Sequence, residues 1–261
     1  MIGPISSQQK PTEPVTVKSQ KEESFELPQD SVVLQGNMNK EEPFLQKIKQ
    51  PIGAPEAKSF KFASKYTVED IMTDPIKAKA FEQDYLKGEG EYFSLARDKK
   101  TGLIFDGFNL DEKTGHIKDV RFWSAPSKES LDIGLCIKAL EGDEKAALVV
   151  SKNNPGMAKQ VAADILKKKM DSYMDFHKKN PGYGGFLPWI YIKDEVTPAG
   201  DWVGAIPGLD NGEWVWSVLA AERALRKEGL TELADKYRGY GELLTSKLGK
   251  IFYDKEAGKI R

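Results

Sequence analysis

Apolar residues in the second part of the chain recur with the period of amphipathic helices. In residues 157–178 and 211–227 they return every three or four positions, which places them on one face of a helix. Similar patterns, bounded by proline, glycine or capping residues, predict further helices at residues 67–74, 76–97, 128–141, 143–150 and 231–248. Gly88 and Gly90 are expected to interrupt or bend the helix predicted at residues 76–97.

Short strands and turns are predicted between the helices. Residues 98–102 and 111–115 have turn compositions, residues 103–105 read as a short strand, and residues 251–258 open one more strand and turn. Long helices joined by loops of unequal length indicate a mainly α domain of helical hairpins, with function on the elaborated loops. The chain has no strong repeat of fixed period, which argues against a regular solenoid.

The first 60 residues differ in composition from the rest. They are rich in Gln, Lys, Glu, Pro and Ser and contain no Trp or Tyr. Such a segment buries too little apolar surface to offset the entropy lost on ordering. We therefore predict a disordered tail or linker over residues 1–60 and a folded domain over residues 61–261.

Charge and the rarer residues narrow the classes of function. Lys and Arg number 39 against 40 Asp and Glu, so no overall field favours nucleic acid or an anionic membrane. The single Cys136 excludes an internal disulfide and a Cys-based zinc site, and His116 and His177 form no metal-binding pattern. The lysines at residues 167–169 are interpreted as the solvated face of a helix. We expect no metal, no cofactor and no nucleic-acid partner.

No run approaches the ~20 apolar residues that span a bilayer, and the N-terminus lacks the apolar core of a signal peptide. The chain as given is therefore predicted to be soluble, without a membrane span. The sequence makes no prediction of oligomeric state.

Residues 182–216 are the most distinctive stretch. They hold four of the five tryptophans, several glycines and prolines, and five carboxylates: Asp194, Glu195, Asp201, Asp210 and Glu213. Sugar rings stack their C–H faces on aromatic side chains, and a pair of carboxyl groups can cleave a glycosidic bond. This composition indicates a carbohydrate site. The side chains predicted to bind sugar are Trp123, Tyr183, Phe186, Trp189, Trp202 and Trp214.

The candidate catalytic residues are Asp106, Asp210 and Glu213, and each has a structural alternative. Asp106 could be a solvated turn carboxylate instead of lining a pocket. Asp210 and Glu213 have the spacing of a helix N-cap and its capping box. The tryptophans could all be large core residues. Glu129 and Asp132 are interpreted as first-turn carboxylates that favour the helix dipole.

Four segments, in order, resemble the bacterial glycoamylase-like family that includes endo-β-1,2-glucanases. They are the TGLIFD turn, the serine-led APSKESLDIG helix, the GGFLPW strand and the LDNGE helix start, which continues to Leu219-Ala220-Ala221. The resemblance implies an (α/α)6 toroid that hydrolyses a β-glucan with paired carboxylates and without metal. Asp106 and Asp210 are the positions that carry over.

The chain also departs from that family's pattern. The glutamate expected a few residues before the second aspartate has no counterpart in residues 203–207, which leaves Glu213 or Asp201 as the general acid. The helices are fewer than a full toroid needs, so the domain is expected to be truncated at its C-terminus, as an N-terminal part of the family fold.

Two functions follow as hypotheses. The first is a glycoside hydrolase acting on a β-linked glucan, and the alternative is a non-catalytic carbohydrate-binding or scaffold protein with the same helical fold. A helical protein-interaction module, with its tryptophans buried, is a third. The resemblance would imply a periplasmic or secreted location, for which residues 1–14 show no export signal.

Overall fold

The computed structural model describes residues 61–260. The predicted disordered tail or linker over residues 1–60 lies outside the described residues. Within the described part, no helix combines the length and apolar character that crossing a membrane requires.

Seven α-helices make up most of the described chain. A 3-10 helix at Lys61–Lys65 precedes them, and three further 3-10 turns lie at Pro155–Met157, Pro181–Tyr183 and Gly200–Trp202. The α-helices are α1 (Val68–Thr73), α2 (Pro75–Ala96), α3 (Pro126–Leu140), α4 (Glu144–Val150), α5 (Ala158–Lys179), α6 (Gly208–Lys227) and α7 (Thr231–Phe252).

The described residues form three small antiparallel sheets, two in the loops between these helices and one after the last helix. The first pairs β1 (Gly107–Leu110) with β2 (Ile117–Arg121). The second has the order β3, β4, β5, formed by Trp123–Ser124, Ile190–Ile192 and Val196–Pro198. The last pairs β6 (Tyr253–Asp254) with β7 (Lys259–Ile260).

The predicted helices are present with small changes at their ends, and the mainly α fold class is confirmed. The Thr67–Asp70 capping box forms as predicted: each residue's side chain accepts the other's backbone N–H. Asp143 caps α4 by accepting a hydrogen bond from the backbone N–H of Ala146.

Two local predictions were wrong. The helix α2 runs unbroken through Gly88 and Gly90. A Cβ atom at Gly90 would lie 3.0 Å from the backbone oxygen of Leu148, so this glycine permits close packing against α4 instead of bending α2. Residues 103–105 form no named strand, because only the isolated bridge between Arg97 and Ile104 pairs them.

The core lies where α3 meets its neighbours. Helix α3 packs against both α5 and α6, while α6 and α7 form a hairpin. Large side chains that are almost completely buried fill the space: Trp214, Tyr173, Tyr237, Phe176, Phe186 and Met170. Burial of this apolar surface is the main favourable contribution to the stability of the fold.

Four charged side chains lie within this core as one network, with two positive and two negative charges. Lys169 of α5 is fully buried and contacts both acids of α3: its Nζ lies 2.6 Å from Glu129 and 3.0 Å from Asp132. Arg97, at the end of α2, donates to both oxygens of Asp132, at 2.6–3.1 Å. Glu129 also accepts hydrogen bonds from Tyr173, Ser124 and the backbone N–H of Ile104.

The network explains how charges persist in an apolar interior. Burial alone would raise the pKa of Asp132, but the charges of Lys169 and Arg97 outweigh it and lower that pKa. Burial would likewise lower the pKa of Lys169, yet Asp132 and Glu129 raise it. Lys169 is therefore not part of a solvated lysine face. Glu129 and Asp132 are the buried counter-charges of Lys169, and not simply first-turn acids that favour the helix dipole. Each charge has its counter-charge inside the core.

Removing the central cation should destabilise the domain strongly. We expect Lys169→Met to lower the free energy of unfolding by about 3–5 kcal/mol, because Glu129 and Asp132 would remain buried without their shared partner. Urea unfolding followed by circular dichroism measures the change. Lys167→Met is the control, since Lys167 forms only an exposed ion pair with Asp171 and its loss should cost under about 0.5 kcal/mol. Equal effects of the two substitutions would contradict a structural role of the network.

Candidate functional site

Three tryptophans from separate loops stack into one row, which we call the aromatic row: Trp123, Trp189 and Trp202. The rings of Trp123 and Trp189 lie 5.0 Å apart at 11°. Those of Trp189 and Trp202 lie 4.9 Å apart at 23°. All three side chains are partly exposed, so the row is a surface feature and not part of the core.

The small sheet β3–β4–β5 positions the row. Trp123 lies on β3 opposite Tyr191 of β4, and Trp189 immediately precedes β4. The carbonyl of Trp189 accepts a hydrogen bond from Ala199 at 2.7 Å, which leads the chain into the 3-10 turn that carries Trp202. Backbone pairing therefore brings together rings that are 66 and 13 positions apart in sequence.

Asp106 lies at the Trp123 end of the row, where two cations hold its carboxylate. Its Oδ1 is 2.7 Å from Lys128 Nζ and its Oδ2 is 3.0 Å from Arg121 Nη1, with only 6% of the side chain exposed. Lys128 Nζ also lies 5.2 Å from the centre of the Trp123 ring, a cation–π contact. Burial, followed by the charge of Asp106, raises the pKa of the neighbouring Tyr92. Asp106 is therefore not a solvated turn carboxylate.

Asp210 lies against the middle of the row. Its Oδ2 accepts a hydrogen bond of 3.1 Å from the indole N–H of Trp189. Helix α6 begins before Asp210, with Pro207 at the N-cap position and no side-chain capping bond. The capping alternative for Asp210 and Glu213 is thus wrong, because the helix starts one turn earlier than the sequence predicts.

A buried asparagine holds Asp210 in place. The side-chain oxygen of Asn211 accepts the N–H of Leu187 at 3.0 Å, and its amide donates to the carbonyls of Leu187 and Pro207 at 2.8 and 2.9 Å. One amide therefore ties the first turn of α6 to the segment that leads to Trp189. Asn211 is fully buried and fixes the residue next to it.

The other predicted site residues lie elsewhere. Phe186 and Trp214 are completely buried, so neither offers a ring face to a sugar; their role is packing, with Trp214 edge-on to Tyr173 at 5.0 Å. Tyr183 is 9% exposed and presents its hydroxyl, not its ring, to the Trp202 turn. Glu213 is exposed on the first turns of α6.

Three residues beside the row were missed by the sequence reasoning: Arg121, Lys128 and Asn211. Lys128 lies in the first turn of α3, two residues after Pro126. The helix dipole favours an acidic residue there, so the presence of a lysine was a signal in the sequence that this side chain has another role. Arg121 ends a strand and Asn211 adjoins Asp210, positions with no distinguishing pattern.

The row is open to solvent, and none of its three tryptophans lines either of two cavities elsewhere on the described part of the chain. Those cavities, of about 400 and 470 Å³, are lined by residues of α2, α3, α4 and α5 and of the loops beside them. Within residues 61–260, no group of His, Cys, Asp and Glu side chains is arranged to hold a metal ion.

A pair of carboxyl groups is the catalytic equipment of most glycoside hydrolases, and this site holds two carboxylates beside its tryptophans. Residues 103–261 match the family model described as endo-beta-1,2-glucanase SGL, which covers more than half of the chain. The chain belongs to that family. This agrees with the resemblance found in the sequence motifs.

Two solved structures are similar to the chain. One is an endo-beta-1,2-glucanase from Talaromyces funiculosus in complex with sophorose, and the other is a mutant of an endo-beta-1,2-glucanase from the same organism with beta-1,2-glucan. For each, the identity is 35%, the TM-score is 0.68, and the match covers 75% of this chain and 40% of the other. The chain therefore spans about 40% of the length of these enzymes. No curated protein matches it.

The amide of Asn211 should be needed to hold the row against α6. We expect Asn211→Ala to lower the free energy of unfolding by about 1–3 kcal/mol, because the N–H and C=O of Leu187 would be buried without partners. Thermal and urea unfolding measure this change. Asn109→Ala serves as the control, since within the described part of the chain the Asn109 amide bonds to Asp119 alone, on an exposed strand. A loss no greater than that of the control would show that Asn211 does not tie the two segments together.

Proposed function

We propose that this chain supplies part of the active site of a β-1,2-glucan hydrolase, in which Trp202, the outer ring of the aromatic row, is the surface on which a sugar stacks. The observation that carries the proposal is the placement of two carboxylates along one row of stacked tryptophans. Asp106 forms an ion pair with Lys128, which in turn contacts the Trp123 ring. Asp210 accepts a hydrogen bond from Trp189, the middle ring of the row. Family membership and the glucan complexes of the similar enzymes support the same substrate class.

The surroundings of the two aspartates suit different tasks. Ion pairs with Lys128 and Arg121 occupy both oxygens of Asp106, so we assign this residue to positioning the end of the row and not to contact with the reacting sugar. Among residues 61–260, Asp210 accepts one hydrogen bond, from the neutral indole N–H of Trp189 to Oδ2, and we propose that its Oδ1 binds a sugar hydroxyl or a water. We assign Asp210 as the catalytic carboxylate contributed by this segment.

The second member of the carboxyl pair defines the stereochemistry. A partner about 6.5–9.5 Å from Asp210 would leave room for an attacking water and give inversion, whereas about 5–5.5 Å would give retention. Glu213 and Asp201 are both exposed, and Asp201 precedes Trp202 in its 3-10 turn; these two acids remain our candidates from the sequence for the proton donor.

The catalytic assignment is tested by the release of reducing sugar from β-1,2-glucan. We expect Asp210→Asn to lower kcat by about 10²–10⁴, the usual effect of losing a general acid or base. Asp194→Asn is the control, because Asp194 is exposed on the loop between β4 and β5, and its activity should match the parent. Activity unaffected by Asp210→Asn would remove that residue from the mechanism.

A second function, non-catalytic glucan binding, is favoured by the two ion pairs that occupy the carboxylate of Asp106. It predicts that the chain binds β-1,2-glucan, measured by calorimetry, while releasing no reducing sugar. In that case Trp202→Ala would weaken binding and Asp210→Asn would have no activity to remove.

A further inference from the structure

The hydroxyl of Tyr183 bonds to the turn that carries Trp202. It accepts the backbone N–H of Gly204 at 2.8 Å and donates to the carbonyl of Trp202 at 3.4 Å, which is a longer and weaker bond. A tyrosine hydroxyl can donate and accept at the same time, so both bonds can form together. One side chain thus bridges Trp202, the last residue of the 3-10 turn, and Gly204, two residues beyond it.

Tyr183 is itself firmly anchored. It is 9% exposed, ends the 3-10 turn Pro181–Tyr183, and its ring lies 5.7 Å from that of Phe176 in the core. The next residue, Gly184, has φ +62°, and a Cβ atom there would lie 2.6 Å from Ile251 of α7. The chain at Tyr183 is therefore pressed against α7 and cannot shift easily.

The turn that Tyr183 holds has few other attachments to the core. Val203 is 67% exposed, and Gly200 and Gly204 are exposed as well. Gly204 has φ +81°, a left-handed conformation that favours glycine. The placement of the Trp202 ring on Trp189 thus depends on a solvent-exposed turn and its bonds to Tyr183.

We propose that Tyr183 is a positioning residue that latches residues 202–204 and thereby fixes Trp202 as the outer ring of the aromatic row. As far as it concerns sugar binding, this inference rests on the proposed function, in which Trp202 stacks on a glucose unit. The latch itself is a property of the protein without ligand. The two can therefore be tested separately.

The first measurement needs no sugar. Near-parallel indoles in contact couple their electronic transitions, and this gives a pair of bands of opposite sign in the far-ultraviolet circular dichroism spectrum. We expect Trp202→Phe to remove the contribution of the Trp189–Trp202 pair, and Tyr183→Phe to reduce it. Tyr237→Phe is the matched control, because this buried tyrosine also loses one hydrogen bond to a backbone carbonyl, that of Leu166, but lies outside the row. Its spectrum should equal that of the parent.

A second variant perturbs the turn that the Tyr183 hydroxyl binds, and leaves Tyr183 itself unchanged. Gly204→Ala meets no atom within 4 Å but forces a side chain into the left-handed conformation, so it should reduce the same bands. Gly229→Ala, with φ +75° and equally free space between α6 and α7, is its control. This pair keeps the test open if Tyr183→Phe fails to fold.

The second measurement uses β-1,2-glucan and calorimetry. We expect Tyr183→Phe and Gly204→Ala to raise the Kd by about two- to tenfold, the effect of loosening one aromatic stacking surface. The controls Tyr237→Phe and Gly229→Ala should leave the Kd unchanged. Where hydrolysis is measured, KM should rise by the same factor while kcat stays within about twofold of the parent, because a positioning residue does not touch the reacting atoms.

The outcomes separate the two proposals. Bands unchanged in both Tyr183→Phe and Gly204→Ala, although Trp202→Phe removes them, would overturn the latch. Reduced bands in a chain that binds no β-1,2-glucan in any form would support the latch and overturn the proposed function. Reduced bands with an unchanged Kd would overturn the claim that the latch positions Trp202 for sugar.

Discussion

The buried contact of Lys169 with Glu129 and Asp132 is the constraint around which the rest of the domain is organised. A lysine amine taken out of water costs several kcal/mol unless opposite charges meet it, so α3 and α5 are held in one register. Glu129 extends the network to Ser124 on β3 and to the backbone of Ile104, two residues before Asp106. The strand that bears Trp123 is thus anchored to a charged centre beneath it.

This anchoring connects the fold with the site. The aromatic row depends on the position of β3 relative to β4, and β3 is bonded to the first turn of α3 through Ser124 and Glu129. The same turn of α3 supplies Lys128, which bridges Asp106 and Trp123. Adjacent residues of one helix therefore serve the interior and the surface: Glu129 points into the core network, and Lys128 holds the end of the row.

Much of the fold was predictable because helix periodicity and capping act locally. The Thr67–Asp70 box and the limits of α3, α4 and α5 required no tertiary information. Gly90 was misread because its role is a contact with Leu148, which local propensity cannot reveal. Lys169 carried a readable signal: it falls in step with the buried Leu166 and Tyr173, but composition led us to group it with its exposed neighbours.

The site was predictable in composition more than in arrangement. The density of tryptophan and acid in residues 182–216 indicated a sugar surface, yet Phe186 and Trp214 went to the core while Trp123 joined from a distant strand. The spacing of aromatic residues in a loop does not show which rings are buried in the core and which lie at the surface. The pairing of β3 with β4 decides it, and that pairing is a long-range interaction.

The ammonium group of Lys128, which contacts the Trp123 ring, makes the two ends of the aromatic row chemically different. At one end Lys128 and Asp106 occupy the neighbourhood of the ring, and at the other Trp202 stands on an exposed turn, with Trp189 as its one ring neighbour among the described residues. The two ends of the row therefore differ in how firmly they are held. Its closed end is fixed by the helices, whereas its open end can lengthen or shorten with the loop between residues 193 and 204. Evolution could therefore change the reach of this surface without disturbing the charged core that supports it.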